Sequence, residues 1–199
     1  NDIRIRKGLD ILLEGKADKT TKQLPLSALY AVKPSDFHRV IPKLLLREGN
    51  EVKAGEALFF SKSDERILFP SPVSGTIKEI IRGERRKVLE IRIAPSEEQS
   101  FKSYGEKNVN EMQGEDIKAQ LLSSGCWPFI KQRPYDVIAN PDTTPKAIFV
   151  SACKTNPLAP DYDYVLKGKE EVLQTALTAL SKLTPGKVHV SVFKDSSLS

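Results

Sequence analysis

The chain has 199 residues with a formal net charge of +5; 39% are hydrophobic and 29% charged, an ordinary globular balance that supports a buried core. No apolar run approaches the ~20 residues of a membrane-spanning helix, and the basic N-terminus has no apolar stretch behind it to make a signal peptide. Aromatics are only 7%, the basic residues are spread out, and the two cysteines lie far apart with only two histidines, which argues against both nucleic-acid binding and a structural zinc site.

In chain order, residues 1 to about 100 read as β. The opening IRIRKGLDILL alternates around a turn at Gly8, and PKLLL is a short strand. The run REGNEVKAGEALFF contains two strands punctuated by Gly49–Asn50 and Gly55. ERILF and GTIKEII follow on either side of the turn between Pro70 and Gly75. RGERRK makes a charged hairpin tip, and VLEIRI alternates again. Such closely spaced short strands predict a compact barrel or sandwich.

A polar run over residues 94 to 116 reads as a linker. Beyond it, DIKAQLLSSG predicts a short helix with Ile117, Leu121 and Leu122 on one face and Gly125 as its C-terminal cap. KAIFVSA is a buried strand. Residues 169 to 183 give the strongest helical pattern, with Val172, Leu173, Ala176, Leu177 and Leu180 in one stripe and Pro185–Gly186 as the stop. KVHVSVF is a second strand, so a βαβ unit with parallel strands is expected. One such unit cannot cover both faces of its sheet, which predicts that this is the N-terminal part of a longer protein.

The expected organisation is therefore α+β. An all-β barrel-sandwich hybrid of lipoyl/biotinyl type spans residues 1–100, a linker with a short helix spans 101–144, and an incomplete, Rossmann-like α/β domain begins at 145 and runs to 199. The first assignment rests on ILFPSPVSGTIKEI, which resembles the second half of a carrier-domain hairpin. EGNEVKAGEALFF matches the first half. By the carrier spacing counted back from Gly75, the tip falls on Asp64; Lys62 lies two residues away and is expected off the tip, so the swinging arm should be missing.

Other motifs are weaker. The strand before Cys153 leads to no glycine until Gly168, so a dinucleotide finds no backbone cradle for its phosphates. His38, in KPSDFHRV, is a candidate proton donor, although a loop histidine is more often exposed and inert. His189, alternating with valines, reads as structural. The run Cys126–Trp127–Pro128–Phe129 reads as a small core cluster under a loop before it reads as a flat binding surface. The RGERRK tip could meet acidic headgroups or an acidic partner, but such a run is more often simply solvated.

Taken in order, KGLDILLEGKA, EGNEVKAGEALFFSK, SPVSGTIKEIIRGERRKVL, SSGCWPFIKQRPYD and AIFVSACKTNPLAPD resemble the NqrA family, one of the components of the bacterial sodium-translocating NADH:quinone oxidoreductase. The resemblance implies a peripheral protein on the cytoplasmic face of the bacterial inner membrane that binds no cofactor itself. The complex it implies is a translocase that uses NADH, flavins, iron–sulfur centres, quinone and sodium. Its partners would be the other subunits, above all the membrane-embedded one at the quinone site; the isolated chain would not be catalytic. Two segments are implied near quinone, residues 33 to 40 and a stretch beginning near Tyr135. Phe37 stands where the family has tyrosine, keeping the ring and losing the hydroxyl. Phe37, His38 and Tyr135 are the quinone-proximal candidates. No catalytic, cofactor or metal residue is assigned. The alternatives are a lipoyl- or biotinyl-type carrier and the flavin/NADH-binding component of a related ferredoxin:NAD ion pump. The latter carries a glycine-rich loop where this chain has SSGCWPFIKQRP.

Overall fold

A computed structural model describes residue 11, residues 13 to 15 and residues 17 to 198. The alternation expected over IRIRKGLDILL lies largely outside the described residues. By compactness the chain divides into residues 24–144 and a second unit made of residues 1–23 with 145–199.

In the first unit β1 is Tyr30–Val32, β2 Pro42–Leu44, β3 Glu51–Val52, β4 Ala57–Ser61, β5 Asp64–Pro70, β6 Gly75–Arg82 and β7 Val88–Pro95. They form a four-stranded sheet in the order β1-β7-β6-β3 and a three-stranded sheet in the order β2-β4-β5, antiparallel throughout. Alternation explains β7: Ile91 and Ile93 are buried, whereas Glu90 and Arg92 pair with one another outside. Burial in β4 does not alternate, because bulges flank Phe59–Phe60 and let Leu58, Phe59 and Phe60 all turn inward. Phe59 stacks on Phe69 with ring centroids 4.5 Å apart.

The bulges also move the hairpin tip. Phe59 pairs with Phe69 and Phe60 with Leu68, a register that points to Asp64 as the midpoint. The pairing then shifts so that Ser61 meets Asp64. Lys62 and Ser63 form the turn. The expectation that Lys62 sits off the tip is thereby corrected, since counting from Gly75 had assumed uninterrupted pairing.

Residues after β7 stay against this unit. Ala54 and Phe101 form a parallel bridge, the Tyr104 hydroxyl donates to the Gly55 carbonyl at 2.6 Å, and the Gln99 side chain both accepts from Ser74 N–H and donates to Ser96 O. Helix α1, Gly114–Ser123, starts with a capping box between Gln113 and Asp116 and buries Ile117 and Leu122. It ends in a Schellman motif. Gly125 N–H donates to Leu122 O and Cys126 N–H to Leu121 O, with Gly125 at φ 71°. The next residues make a 3₁₀ turn, Trp127–Phe129, and a small antiparallel pair, β8 Lys131–Gln132 with β9 Val137–Ile138. Trp127 is buried and its indole N–H donates to Ala139 O at 2.7 Å.

In the second unit β10, Ile148–Ser151, pairs in parallel with β11, Val188–Ser191. Between them lie the one-turn helix α2, Tyr162–Val165, capped by the Asp161 carboxylate, and α3, Glu170–Ser181. The βαβ unit is as expected, but α3 buries no residue fully. Leu173, Leu177 and Leu180 are half-buried, while Val172 and Ala176 of the expected stripe are exposed. A two-stranded sheet is too narrow to cover the whole stripe. His189 is exposed, its ring stacked on Phe149 at 4.9 Å. The N-terminal arm of this unit is tied by an ion pair from Lys19 to Asp161 at 2.8 Å.

Candidate functional site

The site is assembled from three loops of the first unit. In the first, Pro34 presets φ and starts a 3₁₀ turn, Pro34–Asp36; Phe37 N–H closes it on Pro34 O at 3.2 Å. Arg39 follows at φ 62°, a left-handed conformation that turns the chain back toward β2. Beside the turn, the Lys33 ammonium lies 3.5 Å from the Glu90 carboxylate. The Arg92 guanidinium, and then Lys33, holds Glu90 below its usual carboxylate range.

Phe37 is half-buried. Its ring meets Phe69 edge-on at 4.6 Å and Phe129 at 6.4 Å. Phe69 belongs to the core, but Phe129 is 72% exposed, so the aromatic row runs from the interior to the surface. Of the Cys126–Phe129 run, then, Trp127 and Pro128 are core and Phe129 is surface. His38 is exposed, with Nδ1 3.4 Å from the carbonyl oxygen of Asp136, a contact that is a hydrogen bond when Nδ1 carries the proton. Asp136 lies with Tyr135 in the turn between β8 and β9, at φ 53°. Tyr135 is exposed.

Two segments almost a hundred residues apart in sequence therefore meet through His38 and Asp136. Phe37 and His38 line a cavity of about 500 Å³ together with Pro34, Val40, Ile41, Pro42 and Val88, while Arg39 and Lys87 supply positive charge at its edge. Tyr135 is not among its lining residues. The arrangement is an apolar slot with a cationic edge and one imidazole able to donate or accept. That chemistry suits a flat, weakly polar ring bearing carbonyl groups. Residue patterns did not reveal Phe69, Phe129, Lys87 or Val88 as neighbours of this slot. Only the aromatic at position 129, next to a proline, carried any signal. Among the described residues no group of three or more His, Cys, Asp or Glu is placed to hold a metal ion, and no helix is long and apolar enough to cross a membrane.

Comparison with known proteins agrees on the two kinds of domain but divides the chain elsewhere, with residues 3–23 in the first domain and 112–144 in the second. A model of the NqrA N-terminal barrel-sandwich hybrid domain matches residues 3–96, and a model of the NqrA second alpha/beta domain matches residues 112–199. The all-β part is a barrel-sandwich hybrid and the part after it an α/β domain. Proteins described as the A subunit of Na(+)-translocating NADH-quinone reductase are similar along most of the chain. The one from Yersinia pseudotuberculosis serotype O:1b is 36% identical over 190 residues, covering 94% of this chain and 42% of the relative. That of Marinomonas sp. is 35% identical over 187 residues, covering 93% and 42%. That of Neisseria meningitidis serogroup A is 35% identical over 190 residues, covering 94% and 42%. The chain thus spans about two fifths of the length of these relatives. With two domain models of one family matching in sequence order, and relatives of the same description aligned across both domains, the chain belongs to the NqrA family.

Proposed function

We propose that this chain serves as part of the NqrA component of a sodium-translocating NADH:quinone reductase, a translocase of the bacterial inner membrane. In this reading it docks as a peripheral protein on the cytoplasmic face, against the membrane subunits. It holds no redox cofactor and does no chemistry alone. Its role is to shape the mouth of the quinone site with the slot at Phe37 and His38. The observation that carries the reading is the contact between His38 and Asp136, which brings the two candidate segments into one place. The Phe37–Phe129 ring contact supports it.

Quinone would enter beside the Phe37 ring, Arg39 or Lys87 would donate to a carbonyl oxygen, and His38, with Nδ1 donating to Asp136 O, would present Nε2 as acceptor to the hydroxyl of the reduced ring. Tyr135, one residue before Asp136, would extend the surface beyond the cavity. Groups that only bind quinone affect the quinone requirement and not the upstream hydride step. The test is a complex reconstituted with the full-length protein carrying Phe37→Ala, His38→Ala or Tyr135→Ala. Expected is a several-fold rise in apparent KM for quinone with NADH oxidation by an artificial acceptor unchanged. Because His38 and Tyr135 are exposed, their variants should fold normally. Wild-type quinone kinetics and inhibitor sensitivity in all three would overturn the assignment. A flavin absorbance band in the purified full-length protein would overturn the cofactor-free part separately.

A further inference from the structure

We propose that the β6–β7 hairpin tip, with the segment beside it, is a surface that binds an anionic lipid bilayer. The tip holds Arg82, Arg85, Arg86 and Lys87 within a few residues, opposed inside the loop by Glu84. The loop is closed by Gly83 N–H to Lys87 O at 2.8 Å and by the Arg82 guanidinium donating to Arg86 O at 3.2 Å. Arg85 and Arg86 both sit at left-handed φ, 53° and 59°. Asn or Gly would adopt that backbone with less strain. Two arginines held there have side chains displayed at a backbone cost, the pattern expected where function needs them.

The surroundings complete the surface. On one side the tip borders a shallow groove of about 590 Å³ whose lining includes Leu45, Arg47, Ile80 and Arg82. On the other, Lys87 borders the slot that contains Arg39 and Ile41. Ile41 is 63% exposed, Leu45 49% and Leu89 38%. The carboxylate of Glu48, in the first groove, already accepts from Ile80 N–H at 2.7 Å. The cations Arg39, Arg47, Arg82, Arg85, Arg86 and Lys87 outnumber the carboxylates Glu48 and Glu84, and single aliphatic side chains stand among them. Single aliphatics among cations suit an anionic bilayer, where the cations stay at the headgroups and the aliphatics dip beneath them. This inference does not depend on the quinone assignment, since lipid binding is measured with protein and vesicles alone.

The experiment is flotation of the purified chain with vesicles of phosphatidylcholine, with and without phosphatidylglycerol, at low and high salt. The protein should float with the anionic vesicles at low salt and be released at high salt. The decisive variant is Arg85→Asn with Arg86→Asn, which removes two charges while easing the backbone. It should be at least as stable as the parent yet bind anionic vesicles more weakly by about tenfold or more. Leu45→Ser should weaken binding by about threefold. Lys167→Glu with Lys169→Glu, in the other unit, should change nothing. The proposal is overturned if the chain fails to float with anionic vesicles, binds phosphatidylcholine equally, or keeps its binding in the double Asn variant. It is equally overturned if the tip captures an acidic protein of the complex but no vesicle.

Discussion

A methyl group added at Gly75 would fall on the carbonyl oxygen of Ala94, a backbone atom near the end of the β6–β7 ladder. Gly75→Ala should therefore cost about 3 kcal/mol or more, read as a lower denaturant midpoint; an unchanged midpoint would show that the two strands can separate locally at no cost. Gly125 faces a double demand, with φ 71° and Pro70 against its α-carbon. Both glycines were legible in sequence, one as the end of Pro-x-Pro-x-x-Gly and the other as a helix stop, because a turn or a cap leaves a residue-type signature. Lys62 was misread, since a bulge leaves none. Its place in the turn gives the carrier alternative its best argument, and the family assignment speaks against it. An intact-mass measurement on the full-length protein from cells is expected to show no lipoyl or biotinyl increment, and such an increment would reverse that expectation. The pairing of Phe37 with Phe129, and of His38 with Asp136, was beyond reach: contacts between distant loops follow from how β8 and β9 fold back, not from any local pattern.

Between elements, the β4–β5 hairpin is clasped to the end of the unit by one arginine. The Arg66 guanidinium donates to both oxygens of Asp142, at 2.8 Å each, and to Asp64 at 2.7 and 3.0 Å. These hydrogen bonds hold both carboxyls below the usual range for aspartate. A carboxyl depressed in the fold contributes stability that is present above its unfolded value, about 3.9, and is lost as pH falls through the folded value. Arg66→Met should therefore be less stable than the parent at neutral pH and converge with it in acid. Urea midpoints across pH measure this, and a constant difference down to strong acid would show that the carboxylates are not involved. Longer elements declared themselves in the sequence through their periods. The pair β8–β9 and the helix α2 did not, because two-residue strands and a single helical turn are shorter than the period that would reveal them.

Across the whole molecule, the buried apolar side chains among the described residues belong to residues 24–144, with Ala152 the exception. The second unit leaves Phe149, Val172 and Val190 exposed around its two-stranded sheet. Local stability follows such contacts, so amides of β10 and β11 should exchange with deuterium faster than those of β6 and β7; equal protection would mean that the second unit draws on packing this burial pattern does not contain. The division has a practical consequence for spectroscopy. The chain has one tryptophan, Trp127, shut inside the first unit with its indole bonded to Ala139. Selectively excited intrinsic fluorescence therefore reports the melting of that unit and is blind to the other. The two histidines, by contrast, fall one to each unit, His38 at the slot and His189 against Phe149. Their imidazole proton resonances give an unlabelled sample a separate reporter for each half. A titrant that enters the slot should move the His38 lines and leave those of His189 in place.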